Sequence, residues 1–117
     1  MLLKSALLSA EPLSQVIFVH EYVQLRFQDT CLSLYSMLSV GTGRSVLNRS
    51  DHGFCDALVE LINQRVASVD YRAENHLRIT FAGGGSVTAS LKANDVIGPE
   101  LFQLDQPGMP TIVEQVA

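Results

Sequence analysis

Apolar and polar residues alternate on both sides of a glycine triplet in HLRITFAGGGSVTASL, residues 76 to 91. Leu77, Ile79 and Phe81 fall on one face, with His76, Arg78 and Thr80 on the other. After the glycines, Val87, Ala89 and Leu91 alternate with Ser86, Thr88 and Ser90. A period of two belongs to a half-buried strand, not to a helix, whose apolar stripe recurs about every 3.6 residues. Two such strands joined by AGGG predict an antiparallel hairpin, with glycine taking the positive φ that the turn needs. A phosphate-binding loop would instead run from a strand into a helix and carry Gly-Lys-Ser or Gly-Lys-Thr. Here another strand follows, so the glycines read as a corner.

The same alternation occurs earlier. In YVQLRF, Val23, Leu25 and Phe27 alternate with Tyr22, Gln24 and Arg26, and CLSLY sets Leu32 and Leu34 on one face. Laid on the later pattern, Tyr22 falls on His76, Val23 on Leu77, Leu25 on Ile79 and Phe27 on Phe81. A VxxV pair precedes each copy, matching Val16 with Val66 and Val19 with Val69, although the spacing to the hairpin differs. The two patterns are either a degenerate repeat or two meanders that look alike. Both readings predict two three-stranded units.

Between them, DHGFCDALVELINQR predicts a helix over residues 51 to 63, with Phe54, Leu58, Leu61 and Ile62 at helical spacing. Ser50 or Asp51 is the expected N-cap, and Asn63 the expected left-handed residue at its end. The linker 37 to 50, with Gly41 and Gly43, is expected to be an irregular and mobile crossover. Pro99 is expected to open a helical turn carrying Glu100, Leu101 and Phe102. The β-branched TIVEQV reads as a strand. The fold class expected is α+β: antiparallel meanders over 15–35 and 66–91, packed on one central helix. Residues 13–104 form that domain, after an extension over 1–12 whose Leu2, Leu3, Ala6, Leu7 and Ala10 make a helical stripe. Residues 105–117 form a tail suited to a strand in an interface. The expected core includes Val16, Val19 and Ile62 with the inward strand positions.

These elements resemble a group of small bacterial domains of immunity-like or accessory type, carried on mobile elements and integron cassettes. The carrying residues are Val16, Val19, Tyr22, Val23, Leu25 and Phe27, then Val66, Val69, Leu77, Ile79, Phe81, Gly84 and Leu91, with GPELF at 98–102. The resemblance covers roughly residues 13 to 104 and implies no catalytic residue. Where such relatives have glycine after the central helix, this chain has Asn63-Gln64.

Composition narrows the function classes. A chain of 117 residues, 47% hydrophobic and 17% charged, suits one folded domain. Its formal net charge is −4 and its lysines and arginines are scattered, which disfavours a nucleic-acid partner. No run approaches the roughly 18 apolar residues of a membrane span. The start, MLLKSALLSAEP, is interrupted by Lys4, Ser5 and Ser9, unlike a secretory signal. A cytoplasmic setting follows. Cys31 and Cys55 lack CxxC or CxxH spacing, so no zinc site is expected, nor a disulfide in a reducing compartment.

Three groupings bear on chemistry. His52, Cys55 and Asp56 share the start of the predicted helix, where a thiol is activated and a carboxylate can orient an imidazole. A buried structural cysteine explains the same residues, and no catalytic residue is assigned. His20 with Glu21, and His76 with Glu74, carry metal-ligand atoms, but histidines on the polar face of a strand are normally solvated, so no metal or cofactor is expected. Glu100 suits the start of a helical turn. Tyr22, Arg26, Tyr35, Arg72 and Arg78 form the binding candidate, because Tyr and Arg on polar strand faces dominate interaction hot spots. The expected function is a non-enzymatic protein-binding module, immunity-like, acting through a sheet face or edge. The alternative is a small ligand-binding domain or enzyme with a pocket between helix and sheet. Sticky ends and exposed strand edges predict a homodimer with one or both termini in its interface.

Overall fold

The structure, a computed structural model, describes residues 2–95 and 98–115. The first half of the chain runs through helix α1 (Leu2–Ser9) and strands β1 (Gln15–Phe18), β2 (Val23–Phe27) and β3 (Thr30–Leu34). It ends in the hairpin of β4 (Leu38–Gly41) and β5 (Val46–Asn48). The second half repeats this order with α2 (Phe54–Val59), β6 (Val66–Arg72), β7 (His76–Phe81) and β8 (Ser86–Ser90). Its closing hairpin is β9 (Glu100–Asp105) and β10 (Ile112–Gln115).

The strands form two antiparallel five-stranded sheets, ordered β1-β2-β3-β9-β10 and β5-β4-β8-β7-β6. Each sheet joins the three-stranded meander of one half to the closing hairpin of the other. The registers correspond as well. In the first sheet Leu25 faces Val16 and Leu32, Leu32 faces Leu104, and Leu104 faces Ile112. In the second sheet Ile79 faces Val69 and Val87, Val87 faces Val40, and Val40 faces Leu47. The helices obey the same correspondence: Leu3, Ala6, Leu7 and Ala10 are buried, and so are Phe54, Ala57, Leu58 and Leu61 at the same spacing. The chain is thus an internal repeat whose halves exchange hairpins.

The exchange is consolidated where the halves meet. Asn63 N–H donates to the Leu13 carbonyl at 2.7 Å, and Leu13 N–H donates to that of Gln64 at 2.9 Å. Phe27 and Phe81, equivalent positions in the two meanders, stack across the core with ring centroids 6.3 Å apart and planes at 11°. Tyr71 meets Phe102 edge-on at 6.2 Å. Helix α1 packs against β6, and α2 packs against β4 and β1. Each helix thus shields the outer strand of the other half's meander, one way of blunting a sheet edge.

The glycine corner is a hairpin as expected, with Ile79 facing Val87 and Gly84 at φ +98°. Other expectations are corrected. The VxxV pairs do not superpose: the ladder matches Val16 with Val69, because each lies opposite the central residue of its second strand. Val19 and Val16 are only partly buried. No single central helix organises the fold, since two short helices flank two sheets packed on each other. Helix α2 is shorter than residues 51–63. Its N-cap is Gly53 at φ +89°, with no side-chain cap, because the Asp51 carboxylate accepts the Asn48 N–H instead. Its end tightens into bonds from Leu61 to Leu58 and Ile62 to Val59, before Asn63 turns left-handed at φ +77° as expected.

The supposed crossover at 37–50 is largely the β4–β5 hairpin, held by pairing with β8. Glu100, Leu101 and Phe102 belong to a strand, because Phe102 and Leu104 find partners in Leu34 and Leu32. The dozen residues read as an extension supply Leu3, Ala6 and Leu7 to the core, although Leu2 is exposed. Within TIVEQV, Ile112–Gln115 form a strand, but it pairs with β9 of its own domain, and Val116 lies outside the described residues.

Candidate functional site

The five binding candidates lie on opposite sides of the molecule. Tyr22, Arg26 and Tyr35 share the outer face of the first sheet, while Arg72 and Arg78 share the outer face of the second. Val23 lies opposite Leu34, so the next residues outward bring Tyr22 beside Tyr35, with ring centroids 5.0 Å apart and planes tilted by 48°. Both tyrosines are half-buried. Arg26 pairs across the strands with Cys31, whose thiol is pushed up by burial and drawn partly back by that guanidinium.

The other two arginines are engaged within their own sheet. Arg72 Nε lies 3.6 Å from Asp70 Oδ2, and Arg78 Nε donates to Thr88 Oγ1 at 3.2 Å. Between them, the ring nitrogens of His76 reach Asp70 Oδ2 and Asn75 Oδ1, both at 2.9 Å. The hydrogen bond from His76, with Arg72 assisting, holds the Asp70 carboxyl below its ordinary range.

The remaining groupings are not assembled into sites. His76 bonds Asp70 and Asn75 and not Glu74, which occupies a turn at φ +63°. His20 and His76 line adjoining clefts. Among the described residues no three His, Cys, Asp or Glu side chains come together as a metal site requires. No hydrogen bond among the described residues links His52, Cys55 and Asp56; Cys55 is an exposed free thiol and Cys31 a buried one. Glu100 opens β9 and lines a small depression with Tyr22 and Tyr35.

One of several concavities of similar size lies where the two chain crossovers meet between the sheets. One crossover is residues 35–37 alone; the other, between β8 and β9, is longer and includes a single helical turn at Ala93–Asp95. A cleft of ≈ 350 Å³ there has Tyr35, Met37 and Leu38 on its floor and His20 and Arg49 among its walls. Arg49 is fixed by donating to the Val19 carbonyl at 2.7 Å. Ser36 also lines this cleft. Its Oγ is shielded from solvent without a hydrogen-bond partner among the described residues, a deficit of about 1–3 kcal/mol. Ser36, Asn48, Arg49, Lys92 and Asp95 were not legible as site residues, because none stands in a motif. The signal was the unequal length of the two crossovers, visible only once the repeat is aligned.

The depression between α2 and the β7–β8 turn, where a pocket between helix and sheet was expected, is smaller at ≈ 160 Å³ and bordered by Gly83 and Gly85. Among the described residues, no helix is long and apolar enough to cross a membrane. The chain matches no protein-family model, no curated protein and no solved structure.

Proposed function

We propose that the protein is a non-enzymatic, immunity-like accessory module that binds another protein through the outer face of its first sheet. The observation that carries this reading is the Tyr22–Tyr35 pair: two half-buried rings in mutual contact at the end of that face. Arg26 stands on the same face. Paired aromatic rings with an arginine supply large contact area at low ordering cost, the usual chemistry of an interface centre. Arg72 and Arg78, turned to the other side and bonded to Asp70 and Thr88, belong to a different surface. The helix–sheet depression is below the usual several hundred Å³ of a ligand pocket, so that form of the alternative has less support.

Affinity capture from a bacterial lysate tests this with two variants. Tyr22→Ala with Arg26→Glu should lose a partner that Arg72→Glu with Arg78→Glu retains. Identical partner lists for both variants and the unsubstituted chain overturn the reading.

The module is further proposed to be a cytoplasmic homodimer joined through the β10 edge, where Val113 is 42% exposed. Light scattering on the full chain and on Val113→Glu checks this, with a monomer at tens of micromolar as the overturning result.

A further inference from the structure

The cleft at the crossovers has a second compartment of opposite chemistry. This neighbour, ≈ 360 Å³, is walled by His76, Arg78, Thr88 and Lys92. Met37, Leu38, Asn48 and Asp95 line both compartments, so an apolar floor runs directly into a cationic wall. The junction is tied by main-chain bonds: Met37 N–H donates to the Asp95 carbonyl and Ser90 N–H to the Met37 carbonyl, both at 3.0 Å. Residues held this way present a preformed surface.

In the second compartment Arg78 and Lys92 outnumber the one carboxylate, Asp95, and neither forms an ion pair among the described residues. Arg78 commits Nε to Thr88, and its two terminal amino groups have no partner among the described residues. Lys92 is exposed and forms no ion pair among the described residues. Asp95 is the one carboxylate lining this compartment, with Glu21 at the far side of the first, and its Oδ2 accepts the Ser90 hydroxyl at 2.6 Å. Asp70 lies opposite Arg78 across the strands but bonds His76 and Arg72 instead. A free guanidinium fork beside an ammonium suits a carboxylate or phosphate.

We propose that the joined cleft binds a small molecule with a flat apolar body and a terminal oxyanion. The body lies over Met37 and Leu38 against Tyr35, and the anion reaches Arg78 and Lys92. This site shares Tyr35 with the protein-binding face but does not rest on that reading, because its charged residues lie on the other sheet and the charge variants leave Tyr22 and Tyr35 intact.

The test is an amide NMR titration of the full chain with 1-naphthyl phosphate, 1-naphthol and inorganic phosphate in parallel. The naphthyl phosphate should give saturable shifts at Met37, Leu38, Asn48, Ser90 and Lys92. Each half-ligand should bind about tenfold more weakly or worse. Arg78→Gln and Lys92→Gln, at exposed positions whose spectra also report folding, should each weaken naphthyl phosphate about tenfold and leave 1-naphthol unchanged. Met37→Ser should weaken both naphthyl ligands. Absence of saturable shifts at about 5 mM, shifts that map elsewhere, or charge variants with unaltered affinity would overturn the proposal.

Discussion

Asp70 is the residue whose behaviour follows most directly from its contacts. The His76 hydrogen bond at 2.9 Å lowers its pKa, and Arg72 adds to the effect. A carboxyl with a depressed folded pKa contributes stability above its unfolded value, about 3.9, and loses it as pH falls through the folded value. Substituting His76→Ala should therefore raise the Asp70 midpoint toward the ordinary range, read from its carboxyl carbon by NMR. The variant should also lack the part of acid destabilisation below about pH 4 that this group gives the unsubstituted chain. An unchanged midpoint would show that the contact is electrostatically idle. Backbone strain offers a second residue-scale prediction. At φ +98°, Gly84 adopts a conformation in which a Cβ costs about 1–2 kcal/mol, so Gly84→Ala should lower the urea midpoint accordingly. Gly43→Ala, with nothing near its Cβ and no positive φ, should cost far less.

At the scale of elements, helix α1 is the one whose role differs most from its sequence position. A terminal amphipathic segment looks dispensable, and at eight residues this helix is too short to be stable alone. Its stability comes from Leu3 and Leu7, 1% and 0% exposed, set into the same core as both sheets. Leu7→Ala should cost about 2–5 kcal/mol by denaturant unfolding, as for a central strand residue. A cost below about 0.5 kcal/mol, the range of ordinary surface substitutions, would mean that α1 is merely docked. Phe27 and Phe81 were legible as strand positions because their strands alternate cleanly. That their rings would stack on each other was not, since alternation fixes a face and says nothing of what lies across it.

For the whole molecule, the exchanged hairpins dictate how it unfolds. Neither half owns a complete sheet: β3 needs β9, and β8 needs β4. Unfolding should be a single cooperative transition, with no populated half. Fragments 1–50 and 51–117 should each lack a cooperative transition when purified apart, and regain one together with native-like amide dispersion when mixed. Independent melting of either fragment would contradict the shared core. Both faces of β3 are buried, a pattern that alternation within CLSLY could not foretell and that the equivalent strand β8 does not share.

By itself the sequence determined the two meanders, their registers at the tight turns and the glycine corner. Each depends on neighbours in the chain and on side-chain alternation over a few residues. It also carried a left-handed Asn63, since a helix end is a local event. The tertiary structure alone decided the pairing of β9 with β3 and of β4 with β8, which turned an expected helical turn and an expected linker into strands. Local propensity at GPELF and at 37–50 is weak, and long-range ladders with Leu32, Leu34 and Val87 outweigh it. The candidate site follows the same division. Tyr22 and Tyr35 could be named from alternation because they extend one hairpin, whereas the cleft is made by two crossovers far apart in the chain, and only packing brings them together.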